Sequence, residues 1–278
     1  MNIGIRLHDT VPGSFWERMC RAKAQGFDCM HLALSKALPH FDMADAPRRL
    51  DEHLAIQMRC ALMIEKMECA VLGCYLKLAD NDPERLARTQ EIYRAHLKFA
   101  PKINARVVGT ETPPAPGLGL DIHSEAALQC FIDGVRPLVR DAEEFDAVLA
   151  IEPVVDHIVN TPERMERVLD ALNSGHVRVI LDAVNLLTRD NYMDADRIID
   201  ECISRFGDRI SVLHMKDFRV VPDQYRVQAT ACGDGVMNFD RLLRFAIDKN
   251  LPMTLEDTTP ENAEAARLYL VKKAEALL

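Results

Sequence analysis

Short apolar segments alternate with longer segments of helical periodicity along the whole chain. Each apolar run is rich in Val, Ile and Leu, and each is followed by a stretch in which apolar positions recur every three to four residues. This alternation is typical of parallel βαβ units, in which helices cover both faces of the sheet. The predicted strands cover residues 2–7, 28–33, 69–76, 104–109, 147–152, 178–182, 210–215 and 252–256.

Eight such units in 278 residues predict a single (β/α)8 barrel domain over residues 1–278. A doubly wound open sheet is the structural alternative. No GxGxxG motif follows the first strand, so the usual dinucleotide-binding form of that fold is not indicated. Gly134 and Pro137 fall inside the helix after the fourth strand, where they predict a kink or a division into two short helices.

Composition and charge narrow the possible partners and location. The formal net charge of -9 comes without a basic patch, which argues against a nucleic-acid partner. No apolar run approaches the roughly 20 residues of a membrane span, and the N-terminal segment is typical of a strand rather than a signal peptide. The 8 cysteines include no CxxC pair, which favours buried thiols in a reducing compartment. We therefore expect a cytoplasmic protein without a membrane partner.

The last four predicted strands all end in an ionisable side chain. These residues are Glu152, Asp182, His214 and Glu256. One polar strand end is ordinary, but the carboxyl ends of neighbouring barrel strands meet at one mouth, where catalysis takes place in this fold. Three clustered carboxylates repel each other unless they are protonated or neutralised. The sequence therefore predicts one divalent metal ion at this mouth, and the oxygen and nitrogen ligands suit Mn²⁺, Mg²⁺ or Co²⁺, with Zn²⁺ also possible.

Other polar side chains near strand ends are candidates for substrate contact. They are His8 after the first strand, Glu111 after the fourth, and Lys216 and Asp217 after the seventh. Each has a structural alternative: Lys216 and Asp217 could form an ion pair, and Glu111 could be a plain loop residue. Lys36 and Lys77 also follow strands, and either could meet a phosphate or a carboxylate. His31 lies within a strand and is expected to be a core or bottom-face histidine.

The order and spacing of these motifs resemble the xylose isomerase-like TIM barrels. This superfamily includes ketose epimerases, hydroxypyruvate isomerase, inosose dehydratase and endonuclease IV. The resemblance rests on IEP at 151–153, LDAVN at 181–185, HMKD at 214–217, GDGVMNF at 233–239 and LED at 255–257. It implies one catalytic metal, Mn²⁺ above all, held by Glu152, Asp182, His214 and Glu256. It further implies a carbohydrate substrate, either a sugar or a sugar phosphate, and an isomerase or epimerase in which Glu152 and Glu256 remove and return a proton beside a metal-chelated carbonyl or hydroxyl. Such barrels often form homodimers or homotetramers.

Two departures separate this chain from the ketose 3-epimerases. Asn185, a further candidate for substrate contact, stands where those enzymes have a histidine, and Ile158 stands where they have a glutamate. The additional His and Asp ligands of endonuclease IV are not supplied, so DNA repair is not indicated. The sequence HMKDFR at 214–219 is similar to inosose dehydratase, which makes elimination of water the alternative reaction. A catalytically inactive barrel that serves as a binding subunit is a third possibility.

Overall fold

Ten strands form a closed barrel and one hairpin in the computed structural model, which describes residues 1–277. In chain order they are β1 (Ile3–Arg6), β2 (Cys29–Ala33), β3 (Glu68–Gly73), β4 (Val107–Glu111), β5 (Leu149–Glu152), β6 (Val177–Asp182), β7 (Ile210–Met215), β8 (Asp217–Arg219), β9 (Gln228–Thr230) and β10 (Met253–Leu255). All barrel pairs are parallel, and the barrel order is β1-β2-β3-β4-β5-β6-β7-β10. The β8–β9 pair is an antiparallel hairpin beside the mouth.

Pairing of the first strand with the last one closes the ring. Ile3 and Ile5 of β1 lie opposite Met253 and Leu255 of β10. This pairing excludes the open doubly wound sheet and confirms the predicted (β/α)8 barrel. The predicted strands match the barrel strands to within two residues at each end, except that β3 ends at Gly73 instead of residue 76 and β4 begins at Val107 instead of residue 104. The hairpin was not predicted.

The helices pack around the barrel, and several of them begin at a polar side chain that accepts a backbone N–H. They are α1 (Phe15–Ala24), α2 (Leu34–Ala37), α3 (Ala46–Arg49), α4 (Glu52–Glu65), α5 (Pro83–Phe99), α6 (Glu125–Phe145), α7 (Pro162–Leu172), α8 (Ala195–Phe206), α9 (Asp240–Lys249) and α10 (Ala263–Glu275). Asp82 and Thr161 each accept a backbone N–H at the start of a helix whose first residue is proline. Among residues 1–277, no helix is long and apolar enough to cross a membrane.

The helix α6 is continuous through Gly134 and Pro137, so the predicted division into two helices was wrong. Gly134 is needed for close packing instead. A Cβ atom at this position would lie 1.9 Å from the carbonyl oxygen of Leu78. The helix stays intact because its apolar face is buried along most of its length.

The centre of the barrel is filled by small and branched apolar side chains. They are Cys29, Ala70, Val71, Val107, Ala150, Ile180 and Val212. A larger apolar layer lies between the strands and the helices. Because the interior is packed, only the carboxyl ends of the strands leave space for polar side chains, and the candidate site lies there.

Candidate functional site

The four predicted strand-end residues converge on one point at the barrel mouth. Nδ1 of His214 lies 3.2 Å from Oε2 of Glu152 and 3.3 Å from Oε1 of Glu256. Asp182 lies opposite His214 in the β6–β7 register, and it offers an oxygen within 4.8 Å of ligand atoms of His214 and Glu152. All four side chains are buried. The structure therefore brings together the whole set that the sequence predicted.

The donor atoms of this cluster fit a divalent cation. Within residues 1–277, neither nitrogen of His214 has a hydrogen-bond partner of acceptable geometry, although Nδ1 faces two carboxylates. A buried imidazole without a hydrogen bond is costly in free energy. A ligand shell of carboxylate oxygens and one imidazole nitrogen matches the preferences of Mn²⁺, Mg²⁺ and Zn²⁺.

The pKa shifts show how crowded the negative charge is. Burial raises the pKa of Asp182 to about 6 even though Lys216 acts in the opposite direction. Burial, together with the charges of Glu152 and Glu256, raises the pKa of Glu111 to about 7. Burial also opposes protonation of His214, but Glu152 and Glu256 outweigh it and raise the imidazole pKa to about 9. The cluster therefore attracts positive charge, whether from protons or from a metal ion.

Lys216 and Asn185 lie next to this cluster and form ion pairs or hydrogen bonds with its carboxylates. The buried ammonium of Lys216 lies 2.8 Å from Oδ2 of Asp182, 3.3 Å from Oε2 of Glu256 and 2.9 Å from Oδ1 of Asn185. Burial disfavours this ammonium, but Asp182 and Glu256 more than compensate and raise its pKa. The amide Nδ2 of Asn185 donates to Oε1 of Glu152 at 2.7 Å. Asn185, predicted to contact substrate, thus has its amide committed to orienting Glu152.

Asp217 lies outside the cluster, and its placement does not fit the predicted contact with substrate. Its carboxylate accepts backbone N–H groups from Phe218 and Met237 at 2.8 Å each and from Gly233 at 3.1 Å. The GDG turn packs so closely that a Cβ atom on Gly235 would lie 2.2 Å from the carbonyl oxygen of Phe218. Asp217 is 1% exposed, so its carboxylate holds the hairpin and this turn together.

Two cavities open on the cluster. One, of about 390 Å³, is lined by His8, Glu111 and Glu256 together with side chains from β1, β2 and the segment after β3. The other, of about 430 Å³, is lined by Glu111, Asn185 and Lys216 together with groups from the β8–β9 hairpin. His8 and Glu111 therefore face the space next to the cluster, as predicted for substrate contacts.

His31 lies at the mouth, so the prediction of a core or bottom-face histidine was wrong. Its ring stacks on that of His214 at 5.2 Å between centroids, and its Nδ1 is 3.9 Å from Oε1 of Glu256. Neither nitrogen of His31 has a hydrogen-bond partner. The strand pattern correctly predicted that His31 is buried. It could not predict how close to the mouth of the barrel His31 lies.

Tyr75 and Arg226 also belong to the site, and sequence reasoning missed both. The buried hydroxyl of Tyr75 has no hydrogen-bond partner. Gly73 and Gly109 face each other in the β3–β4 register, and a Cβ on either would lie within 3.1 Å of the Tyr75 side chain. Paired strand glycines are the signal that could have revealed this ring. Arg226 donates to Oδ1 of Asn185 at 3.0 Å, and it comes from the hairpin, for which there was no sequence signal.

Comparison with known proteins agrees with this architecture. Residues 20–273 match the family model described as xylose isomerase-like TIM barrel. The chain therefore belongs to the xylose isomerase-like TIM barrel family.

Three relatives illustrate the range of this similarity. D-psicose 3-epimerase of Enterocloster bolteae is 27% identical over 154 residues, which cover 52% of this chain and 48% of that protein. The match thus spans about half the length of this curated relative. The apo structure of 3-keto-D-glucoside 4-epimerase from E. coli superposes with a TM-score of 0.74 at 16% identity, covering 98% of this chain and 99% of that one. A xylose isomerase-like TIM barrel protein from Mycobacterium smegmatis, in complex with magnesium, gives a TM-score of 0.72 at 17% identity, covering 100% and 97%.

Proposed function

We propose that this protein is a metal-dependent sugar isomerase or epimerase that abstracts a proton next to a carbonyl. The observation that carries the proposal is the convergence of Glu152 and Glu256 on His214, at 3.2 and 3.3 Å, with Asp182 beside them. The epimerases among the relatives support the same class of reaction.

Glu152, Asp182, His214 and Glu256 would hold the metal ion, and Mn²⁺ is the ion we expect. When bound, a divalent ion would polarise a substrate carbonyl and lower the free energy of the negative charge that develops after C–H cleavage. The magnesium complex of the Mycobacterium smegmatis relative supports a divalent ion in this fold.

Glu152 and Glu256 would remove and return the proton. They reach the cluster from β5 and β10, on strands separated by β6 and β7 in the barrel, so they approach a bound substrate from different sides. Asn185 keeps one oxygen of Glu152 occupied, and Lys216 and Arg6 contact one oxygen of Glu256. Each glutamate therefore has one oxygen held by the protein and one directed toward His214, which fixes the direction of proton transfer.

The unpartnered polar atoms around the cavities support a substrate with several hydroxyl groups. They include Nδ1 of His8, both nitrogens of His31, the hydroxyl of Tyr75 and Nδ1 of His157. Buried polar atoms are normally paired, and hydroxyl groups can both donate to them and accept from them. A sugar chain or ring offers these groups at the required density.

The test is hydrogen exchange at the substrate carbon. Purified protein is stripped of metal, reloaded with Mn²⁺ and incubated in heavy water with a panel of ketoses, keto-inositols and keto-sugar acids. We expect deuterium to enter the carbon next to the carbonyl without loss of water. Glu152→Gln and Glu256→Gln should each abolish conversion of substrate to product while some metal stays bound.

A matched control is Glu264→Gln, which removes an exposed carboxylate on the helix α10. It should leave exchange unchanged. Loss of water from a keto-sugar or keto-inositol would identify a dehydratase instead. Protein that binds no metal and exchanges no substrate proton would instead be a binding subunit, and the proposal would fail.

A further inference from the structure

We infer that the substrate carries a carboxylate, which binds on the β1–β2 side of the cavity to Lys36 and Arg6, with His8 as a hydrogen-bonding partner. This inference rests on the proposed function, which places the carbonyl of a sugar at the Glu152–Glu256 cluster. The inference states which chemical group the opposite end of that sugar carries and where this group binds.

The basic side chains of the 390 Å³ cavity, two of them cationic, lie on one wall. Arg6 and His8 come from the end of β1, and Lys36 comes from the short helix α2 directly after β2. Glu256 marks the edge that this cavity shares with the metal-ligand cluster. A ligand that reaches from the cluster into this cavity therefore places its other end among basic side chains.

This wall carries positive charge that acidic neighbours do not fully neutralise. Within residues 1–277, Lys36 forms no ion pair. Arg6 donates through Nε to Asp9 at 2.9 Å, while its Nη1 lies 3.8 Å from Oε2 of Glu256. Glu256 is shared with His214 and Lys216, so it is not available to Arg6 alone. The chain has a net charge of -9, so a wall of basic side chains contrasts with the excess of acidic residues in the chain as a whole.

The pKa of His8 is affected by the positive electrostatic potential of the wall. Burial, and then the charges of Lys36 and Arg6, lower the pKa of its imidazole to about 4. The ring is therefore neutral near pH 7, and its buried Nδ1 has no hydrogen-bond partner. A bound anion would accept a hydrogen bond from this ring and would pair with the two cations.

A carboxylate suits the wall better than a phosphate. Barrels with phosphate sites use backbone N–H groups from the loops after strands seven and eight. Here the N–H of Gly233 in the GDG turn is bound by Asp217, and that of Asp234 is bound by the carbonyl oxygen of Ala231. The wall itself offers side chains rather than a backbone cradle, and its helix α2 has only 4 residues. Because Arg6 already pairs with Asp9 at 2.9 Å, the positive charge that the wall offers to a ligand comes mainly from Lys36, which matches a planar monoanion better than a phosphate dianion.

The decisive experiment compares three substrates with one carbon skeleton. D-fructose ends in a hydroxymethyl group, D-fructuronate in a carboxylate and D-fructose 6-phosphate in a phosphate ester. We expect kcat/KM for deuterium incorporation to be at least about tenfold higher for the carboxylate, since a hydrogen-bonded charge contributes about 1.5–3 kcal/mol. Lys36→Met should reduce the ratio of carboxylate to neutral substrate about tenfold, and Lys36→Arg should restore part of it.

Lys98→Met is the matched control, because Lys98 is an exposed lysine on the helix α5 that does not line this cavity. It should leave the ratio unchanged. Equal or better use of the neutral ketose would overturn the carboxylate inference and leave the proposed function intact. Preference for the phosphate ester would also overturn it.

Binding of unreactive probes decides the inference even if no substrate exchanges. D-gluconate and D-glucitol differ only in the end group and have no carbonyl, and calorimetry measures their binding to the Mn²⁺-loaded protein. We expect D-gluconate to bind at least about tenfold more tightly, and Lys36→Met to remove this advantage. An advantage that survives in Lys36→Met would mean that the carboxylate binds elsewhere, which contradicts the inference. Absence of exchange with every sugar would refute the proposed function separately.

Discussion

Asn185 should control metal affinity without being a ligand. Its Nδ2 donates to Oε1 of Glu152 at 2.7 Å, and its Oδ1 accepts from Lys216 at 2.9 Å and from Arg226 at 3.0 Å. Replacement by alanine would remove all three bonds. Glu152 is only 1% exposed, so water cannot easily replace the amide at its buried oxygen.

The expected loss of metal affinity follows from the charged side chains that Asn185 contacts. Each hydrogen bond to a charged group contributes about 1.5–3 kcal/mol, but part of this loss falls on folding rather than on metal binding. Residues that orient metal ligands typically change metal affinity about 10–100-fold, which corresponds to about 1.4–2.7 kcal/mol. We therefore expect Asn185→Ala to weaken Mn²⁺ binding by about this factor.

The assay is calorimetric titration of metal-stripped protein with Mn²⁺. Asn191→Ala serves as the control, because it removes a nearby asparagine amide that bonds to Thr188 and Leu186 of its own loop. Among residues 1–277, this amide contacts none of the four predicted ligands. This variant should leave affinity unchanged. An Asn185→Ala protein that binds Mn²⁺ as tightly as wild type would refute the reasoning. Equal losses of Mn²⁺ affinity in Asn185→Ala and Asn191→Ala would mean that general destabilisation, and not the orientation of Glu152, causes the effect.

Three further predictions concern residues around the cluster. Tyr75→Phe should lower kcat about 100-fold while metal affinity stays constant, because a hydrogen-bond donor aimed at developing charge contributes this much; stopped-flow exchange measurements check it. Asp217→Ala should lower the free energy of unfolding by about 1–3 kcal/mol in urea titrations, because three buried N–H groups lose their acceptor. In metal-free protein, Glu111→Gln should reduce the loss of stability between pH 5 and pH 7, measured by denaturation at both values. The pKa of Glu111 is raised from 4.5 to about 7 in the folded state, so its stabilising contribution is present below 4.5 and is lost as pH rises toward 7.

Each of these predictions has an outcome that contradicts it. Unchanged kcat in Tyr75→Phe would mean that the hydroxyl does not meet the substrate. Unchanged stability in Asp217→Ala, together with a raised KM, would return Asp217 to the role predicted from sequence. An identical pH dependence in wild type and Glu111→Gln would mean that other groups with a raised pKa, such as Asp182 and His214, account for the loss.

The sequence by itself determined the barrel and the main cluster. Strands and helices differ in apolar periodicity, which is a local property of the chain. Each of Glu152, Asp182, His214 and Glu256 directly follows or ends an apolar run, so its place at a strand end is readable without a structure. In a parallel barrel all strand ends of one kind meet at one mouth, and convergence follows from topology alone.

Only the tertiary structure decided which side chains meet across that mouth. His31 stacks on His214 although β2 and β7 are not neighbours in the barrel, since side chains directed into the mouth meet across it. Tyr75 reaches the site because two paired glycines leave room for its ring. Asp217 holds the hairpin and the GDG turn because nearby backbone N–H groups donate to its carboxylate. These outcomes depend on strand register, ring closure and competition for hydrogen bonds, and none of these is a local property of the sequence.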